Sequence, residues 1–363
     1  CDYYAEHAEA FLAPVDVESD AAASRVVYRP LGVVLALMPW NFPLWQVLRF
    51  AAPALMAGNA AVLRHASNVT GCAIAIEELF READAPLTLV LAGKDAVPRL
   101  IDDPRISAVT LTGSTNAGRA VAAAAGRALK KTVLELGGSD PYVILADADL
   151  EHAVERCVSS RLVNSGQSCI AAKRFIVEAH VHDRFVEAFT AAMRAKRAAD
   201  PLDPAADLGP LAQARTRERL HAQVERSVKA GARCVLGGAV PSSPGFFYPP
   251  TVLADVAPGM PAFDEEVFGP VAAILSAANA DDAIALANRS SYGLGAAVFT
   301  RDSERAQDIA ARRLEAGSCF INDFVRSDPR LPFGGIKCSG YGRELGPFGI
   351  KEFVNVKTVW AAG

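Results

Sequence analysis

The sequence predicts an α/β protein in which short apolar strands alternate with helices. A strand at 60–64, a helix at about 70–83 and a strand at 87–91 follow one another closely. The 363 residues are 51% hydrophobic and 21% charged, so the chain can bury a large core, and its length favours two or three domains. Ligands of open α/β sheets bind at the carboxyl ends of the strands, so the residues that follow each strand are the first candidates for a site.

Charge and cysteine usage exclude several classes of function. The net charge of −4 predicts no basic surface for nucleic acid or an anionic membrane, and no apolar run is long enough to span a bilayer. The 7 cysteines are scattered and form no Cys-x-x-Cys pair, which indicates neither disulfides nor a metal site. We expect a cytoplasmic protein. Because the chain begins in the middle of a pattern at Cys1, we also expect it to be a piece of a longer polypeptide.

The first elements lead to a rigid asparagine. Residues 1–13 have the pattern of the end of a helix, 14–24 are polar, and 25–38 predict two β segments separated at Pro30. In the segment PWNFP that follows, two prolines fix the backbone, so the amide of Asn41 points in one direction and suits a developing oxyanion. An Asx-type turn that only begins the next helix is the alternative.

Two strand ends offer polar groups to a ligand. The helix at 43–57 stops at Gly58, and the strand at 60–64 ends in Arg64-His65-Ala66-Ser67. The strand at 106–112 runs into a turn of small residues, 113–118, and then a helix at 119–130. A strand, a small-residue turn and a helix N-terminus together suit a pyrophosphate, although an ordinary βα turn has the same pattern.

A carboxylate and a thiol are the candidates for chemistry. Glu135 ends the strand at 131–136 beside two glycines, where poor solvation raises a carboxyl pKa toward that of a general base. Pairing with an Arg or Lys is the alternative. A helix capped by Asp149 leads to the polar stretch 164–169, which we expect outside the core and which delivers Cys169. Gly166 lets this backbone pass close to a neighbour. An accessible thiol is reactive, whereas the alternative is a small buried one.

The remaining chain continues the alternation. Helices are predicted at 181–199 and 213–230, separated by a loop with two Asp-Pro steps, and a strand follows at 232–236. Residues 281–321 repeat helix, strand, helix, strand, and 353–360 alternates as a strand does.

Six motifs occur in the order and spacing of one enzyme family. They are PWNFP at 39–43, TGS at 112–114 with Gly118, LELGG at 134–138, GQSC at 166–169, EEVFGP at 265–270, and PFGGIKCSG at 332–340, which runs on to Gly342-Arg343-Glu344. On these motifs the whole chain resembles the aldehyde dehydrogenases, and most closely their short bacterial succinate-semialdehyde branch.

The resemblance implies a domain plan. A Rossmann-like cofactor domain would comprise 1–13 and 31–137 without its N-terminal part, and an α/β catalytic domain 138–340. A small β extension, 14–30 with 353–363, would pair as a hairpin and a strand and join subunits into a homodimer or homotetramer.

The resemblance also implies a mechanism. Cys169 would attack the aldehyde carbon, while the Asn41 amide and the Cys169 backbone N–H stabilise the oxyanion. After hydride leaves for the nicotinamide, Glu135 would activate the water that hydrolyses the thioester. A thiol hydrolase, an inactive structural relative and an acylating relative are the alternatives. No histidine stands in a motif near Cys169, however, and both Cys169 and Glu135 are present.

Either NAD or NADP is the expected cofactor. Glu266 would hold the nicotinamide ribose, Phe268 would pack near the nicotinamide, and the phosphates would be bordered by small residues. Ser67 cannot repel a 2′-phosphate, which Arg64 and His65 could attract, so we expect both cofactors to be used. The implied cofactor contacts are Pro39, Trp40, Arg64, Ser67, Gly113, Ser114, Gly118, Leu136, Glu266 and Phe268.

The expected substrate is a small aldehyde with a distal carboxylate, most closely succinate semialdehyde. Arg49 would bind that carboxylate as a fork, unless it pairs with an acid on a neighbouring helix. Arg161, Ser327 and Phe333 are the other implied substrate contacts.

Overall fold

The computed structural model describes residues 1–362; Gly363, the last residue of the predicted β extension, lies outside the described part. The described helices are α1 Asp2–Phe11, α2 Pro43–Met56, α3 Thr70–Glu82, α4 Val97–Asp102, α5 Thr115–Arg127, α6 Leu150–Leu162, α7 Ala179–Arg194, α8 Ala214–Lys229, α9 Pro261–Asp264, α10 Ala280–Asn288, α11 Ser303–Asp308 and α12 Gly346–Gly349.

Short strands alternate with these helices. They are β1 Val15–Asp16, β2 Ala23–Pro30, β3 Val33–Met38, β4 Ala60–His65, β5 Leu87–Leu89, β6 Ile106–Thr112, β7 Lys131–Glu135, β8 Pro141–Ile144, β9 Arg174–Glu178, β10 Arg233–Leu236, β11 Thr251–Ala254, β12 Val271–Ala277, β13 Tyr292–Gly293, β14 Gly295–Phe299, β15 Ser318–Ile321, β16 Ile336–Lys337, β17 Gly340–Tyr341 and β18 Val354–Ala361.

The chain divides into two compact units. The first unit contains Cys1–Leu136, Ser327–Gly334 and the residues from Gly340 on; the second contains Gly137–Arg326 and Gly335–Ser339. The segment 327–334, which the sequence analysis placed in the catalytic domain, thus groups with the first unit. The sequence does not reveal that this segment returns to the first unit, because the grouping depends on contacts in space and not on a local sequence pattern.

The first unit is built on a six-stranded sheet. Its strand order is β17-β7-β6-β3-β4-β5, parallel except for the antiparallel edge strand β17. Both faces of β3 are buried, with Val34 and Ala36 in one apolar cluster and Leu35 and Leu37 in another, as a parallel sheet covered on both sides requires. Strand order reverses at β3: β4 and β5 lie to one side, β6 and β7 to the other, so the carboxyl ends of β3 and β6 flank the switch point.

The second unit is built on a seven-stranded sheet. Its order is β10-β11-β12-β9-β8-β14-β15, parallel except where β10 runs against β11. Residues of β12 alternate between two buried clusters, Val271 and Ala273 in one, Ala272 and Ile274 in the other. Strands such as β8 are buried throughout and lack a polar alternation, which is why sequence analysis did not identify them.

A third sheet in the first unit joins an N-terminal hairpin, β1 and β2, to the C-terminal strand β18. β18 pairs antiparallel with β2 from Val354 opposite Pro30 to Ala361 opposite Ala23, and β2 pairs with β1. This confirms the predicted pairing of the final strand with the hairpin at 14–30.

Candidate active site

The turn after α6 presents Cys169. Asp149 caps the helix by accepting the His152 N–H at 3.2 Å, as predicted. After α6 ends, Asn164, Ser165 and Gly166 have φ values of 51°, 54° and 75°. A left-handed conformation costs an ordinary residue about 1 kcal/mol or more, so contacts around the turn must hold it.

Close packing holds this turn in place. Ser165 Oγ donates to the Gly209 carbonyl at 3.1 Å. A Cβ at Gly166 would overlap the backbone of Gly269 and lie 2.8 Å from Pro270 N. The predicted close approach of the backbone at Gly166 is therefore confirmed.

Three polar neighbours of Cys169 are buried, contrary to the sequence-based expectation: Ser165, Gln167 and Ser168; Asn164 is exposed, as expected. Ser168 is 1% exposed and Gln167 4%, and the Gln167 amide oxygen accepts the Ala212 N–H at 2.9 Å. Cys169 itself is partly exposed, unlike the fully buried Cys157. Polar side chains can enter a core when backbone groups satisfy them, which composition alone cannot reveal.

Three buried ionic side chains of the second unit lie near the turn that carries Cys169: Lys173, Asp140 and Arg161. Lys173, which the sequence analysis missed, is 1% exposed and donates to the carbonyls of Ser168 at 3.1 Å, Cys169 at 2.6 Å and Ala171 at 3.0 Å. Burial raises the pKa of Asp140 to about 7, against the opposing charge of Lys173. The sequence signal was a lysine just before strand β9, Arg174–Glu178, whose three central residues are apolar.

Arg161, the third ionic side chain, does not lie where a substrate contact was expected. It is 0% exposed and donates from Nη2 to the Gly166 carbonyl at 2.8 Å. Desolvation lowers its pKa to about 9. Its position supports a role in holding the turn, not in substrate recognition.

Glu266 is fixed by the glycine pair of the LELGG motif. Its Oε1 accepts the Gly138 N–H at 3.0 Å, and a Cβ at Gly137 would overlap its carboxylate. Glu266 and Phe268 are both half-buried. Their predicted contacts with the nicotinamide ribose and ring stay predictions.

The switch point of the first unit carries four of the predicted cofactor residues. Pro39 and Trp40 follow β3, and Gly113 and Ser114 follow β6. Ser114 caps α5 by accepting the Ala117 N–H at 3.3 Å, so the helix begins at Thr115, four residues before the predicted start. A helix N-terminus at a switch point suits a dinucleotide pyrophosphate.

Gly118 allows α5 to approach the sheet. A Cβ there would lie 2.5 Å from Leu136 Cδ1, so this glycine faces Leu136 across the interface between helix and strand. Sequence reasoning expected Gly118 beside the phosphates; that stays a prediction, and the structure adds the close approach to Leu136.

The end of β4 provides one exposed group and one buried histidine. Ser67 is exposed, and Arg64 Nε donates to the Ala92 carbonyl at 3.2 Å. His65 is 6% exposed; its Nδ1 accepts the Ala66 N–H at 2.9 Å and its Nε2 donates to Pro43 O at 3.0 Å. Because desolvation lowers the His65 pKa, this ring is neutral and cannot attract a 2′-phosphate as expected.

Asn41 and Glu135 also belong to the first unit. Asn41 is half-buried between the end of β3 and the start of α2, in the segment that Pro39 and Pro43 border. Glu135 ends β7 and is 1% exposed, and neither carboxyl oxygen has a hydrogen-bond partner among the described residues. Desolvation and then the Glu344 charge raise its pKa well above the usual range, while Arg49 and Arg343 oppose the shift. The predicted poor solvation of Glu135 is confirmed.

Arg49 has an acidic partner. Its Nε forms a salt bridge with Glu344, both side chains being almost fully buried, and its guanidinium lies 4.4 Å from the centre of the Phe333 ring. The alternative in which Arg49 pairs with an acid is confirmed, although the acid follows β17 and does not lie on a helix. Sequence reasoning found Glu344 only as a motif residue. Of the other two predicted substrate residues, Phe333 is 3% exposed and Ser327 half-buried.

Neither a metal site nor a membrane span is found in the part of the chain that the structure describes. Residues 1–362 contain no group of His, Cys, Asp and Glu side chains suited to a metal ion. Among the same residues, no helix combines the length and apolar character that crossing a bilayer requires.

Comparison with known proteins gives one consistent result. The model of the aldehyde dehydrogenase family matches residues 1–359. The chain is 53% identical to a probable succinate-semialdehyde dehydrogenase [NADP(+)] of Synechocystis, covering 100% of this chain and 80% of the relative. It is 52% identical to the succinate semialdehyde dehydrogenase [NAD(P)+] Sad of Escherichia coli, covering 99% and 78%. The crystal structure of succinic semialdehyde dehydrogenase from Streptococcus pyogenes with NADP+ superimposes with a TM-score of 0.97 at 41% identity, over 100% of this chain and 80% of that one.

Proposed function

Because this chain belongs to the aldehyde dehydrogenase family, we propose that it oxidises succinate semialdehyde to succinate with NADP⁺ or NAD⁺. The assignment of the substrate rests on sequence identity: the chain is 53% and 52% identical, over nearly its whole length, to relatives named for that aldehyde. The reaction would depend on Cys169 and Glu135, and the sequence contains both.

In the proposed reaction the Cys169 thiolate attacks the aldehyde carbon and forms a thiohemiacetal. The backbone N–H of Cys169 and the amide of Asn41 donate to the oxyanion. The left-handed turn before Cys169 supports this role, because strained backbone is retained where the geometry has a use.

Hydrolysis of the resulting thioester needs a base. Glu135 has no hydrogen-bond partner among the described residues and its pKa is raised, so its carboxylate takes a proton from water more readily than an ordinary glutamate does. We assign it the activation of the hydrolytic water.

The cofactor would be held by chain segments that suit it. The N-terminus of α5 and the residues after β3 and β6 would bind the phosphates, Arg64 and Ser67 the adenosine ribose, and Glu266 the nicotinamide ribose. The bound cofactor would supply the acceptor for the hydride that leaves the Cys169 adduct. Ser67 bears no charge to repel a 2′-phosphate, which supports use of both cofactors. A preference for NAD⁺ above about a thousandfold, roughly 4 kcal/mol, would contradict this.

A second candidate substrate is an uncharged aliphatic aldehyde. The observation in its favour is that Arg49 is in a salt bridge with Glu344 and Arg161 is completely buried. If Arg49 nevertheless binds the distal carboxylate, with Ser327 and Phe333 beside it, Arg49→Met raises KM for succinate semialdehyde more than for butanal.

The deciding experiment compares the two aldehydes directly. Purified protein with NADP⁺ or NAD⁺ is mixed with succinate semialdehyde or butanal, and the absorbance of the reduced cofactor is followed. We expect a higher kcat/KM for succinate semialdehyde. A preference for butanal would reject the substrate and leave only aldehyde oxidation, and no reduction with either would reject the reaction.

The proposal extends to assembly and location. We propose a cytoplasmic homo-oligomer joined through the sheet of β1, β2 and β18. Support comes from the exposed apolar side chains of β18, where Val356 is 61% and Trp360 54% exposed.

A further inference from the structure

Lys173 is a buried ammonium surrounded by the backbone of the nucleophile turn. Its three short contacts are all with carbonyl oxygens, those of Ser168, Cys169 and Ala171. An ammonium has three donors, and this arrangement uses all of them. The proposed reaction assigns nothing to this group, yet burying a lysine is costly unless its contacts repay the lost hydration.

The orientation of those carbonyls determines where the neighbouring N–H groups point. In a trans peptide the C=O and the following N–H lie on opposite sides of the bond. Because the Ser168 carbonyl points to Lys173, the Cys169 N–H points away from it. The Cys169 carbonyl also points to Lys173, and so the Ile170 N–H is turned the same way as that of Cys169.

The residues around Lys173 leave room for the carbonyl groups that it contacts. A Cβ at Gly138 would lie 2.7 Å from the Cys169 carbonyl oxygen, so only glycine leaves room for that carbonyl. Asp140 lies nearby: its carbonyl accepts the backbone N–H of Lys173 at 3.1 Å, and its carboxylate accepts the Gly295 N–H at 3.2 Å. Desolvation lowers the pKa of Lys173, and the charges of Asp140 and Glu266 oppose that shift.

We propose that Lys173 is a positioning residue that orients the Cys169 backbone N–H as an oxyanion donor. It acts through the peptide group and does not contact the substrate. This inference rests on the proposed function, because an oxyanion arises only if Cys169 attacks a carbonyl.

The test separates a step that forms an oxyanion from one that does not. Lys173→Met removes the three donors and keeps the side-chain length. The pre-steady-state burst of reduced cofactor needs the oxyanion donor, whereas alkylation of Cys169 by iodoacetamide, followed by peptide mass spectrometry, does not. We expect the burst to slow about 100-fold, as for loss of one oxyanion donor, while alkylation keeps its wild-type rate.

Two further variants control the comparison. Lys173→Met combined with Asp140→Asn removes both buried charges and replaces the single variant if that one does not fold. Lys196→Met removes a surface lysine that pairs with Asp207 at 3.0 Å, and it should leave both rates unchanged.

The possible outcomes test the role of Lys173 separately from the proposed function. A burst at the wild-type rate in the folded Lys173 variants would overturn the inference, as would equal slowing of burst and alkylation, which would indicate an effect on the thiol. Absence of any aldehyde-dependent cofactor reduction by the wild-type protein would instead reject the proposed function.

Discussion

At the residue scale, Cys169 is set apart from the other cysteines by its surroundings. Like Cys319 it is partly exposed, but it follows a left-handed turn and its carbonyl accepts from Lys173, whereas burial raises the pKa of Cys319, in β15, to about 11. We predict that Cys169→Ala abolishes aldehyde-dependent cofactor reduction and that the matched variant Cys319→Ala retains it. Measured turnover in purified Cys169→Ala would end the proposed mechanism.

Glu135 carries a prediction about partial reactions. Glu135→Gln keeps the shape of the side chain but cannot accept a proton from water. We expect one burst of reduced cofactor per site and then a stall at the thioester, visible by stopped-flow absorbance. A variant without even the burst would show that Glu135 acts before hydride transfer.

The same substitution changes how stability depends on pH. An unfolded glutamate releases its proton near its ordinary pKa of 4.5, but burial holds the proton in folded Glu135 to a higher pH. The wild-type fold therefore loses stability as pH rises from the ordinary pKa through the raised one. Glutamine has no proton to lose, so the gain in melting temperature of Glu135→Gln over wild type should grow with pH. A gain that is constant across pH would contradict the raised pKa.

Arg49 and Glu344 form a buried pair whose members depend on each other. Arg49→Met leaves Glu344 as an uncompensated buried carboxyl, which costs about 3–5 kcal/mol of folding free energy. Adding Glu344→Gln should restore most of that loss, as measured by denaturant unfolding. Additive losses in the double variant would show that the pair is not coupled.

At the element scale, the left-handed turn between α6 and Cys169 depends on a glycine. Gly166 has φ of 75° and no room for a Cβ beside Gly269, so Gly166→Ala should displace the turn and reduce kcat as well as stability. The matched control is Gly126→Ala in α5, where nothing lies within 4 Å of the new Cβ. That change should stabilise the protein by about 0.4–1 kcal/mol and leave kcat unchanged. Equal behaviour of the two variants in thermal melts and assays would refute the role of the turn.

At the scale of the whole molecule, the β18 strand carries the prediction about assembly. Val356 and Trp360 lie on the same face of β18 because strand side chains alternate. The double variant Val356→Asp with Trp360→Asp should shift the protein toward monomer in sedimentation velocity. Leu202→Asp, at a loop position that is 90% exposed, should not. A wild-type protein that is monomeric throughout would reject the proposed oligomer.

The sequence by itself determined the elements with a local signal and the chemical candidates of this protein. Strand β6 has the predicted bounds, 106–112, because an apolar run bordered by turn residues is a local signal. The close approach of the backbone at Gly166 and the poor solvation of Glu135 were also predicted from local signals: a glycine has no Cβ to keep neighbours away, and Glu135 ends an apolar strand beside two glycines.

Only the tertiary structure decided which buried charges meet. Glu344 is the partner of Arg49, His65 is enclosed and neutral, and Lys173 lies under the Cys169 carbonyl. The physical reason is that desolvation and charge compensation act through space. They depend on which groups the fold brings within a few ångströms, and residue order along the chain does not encode that distance.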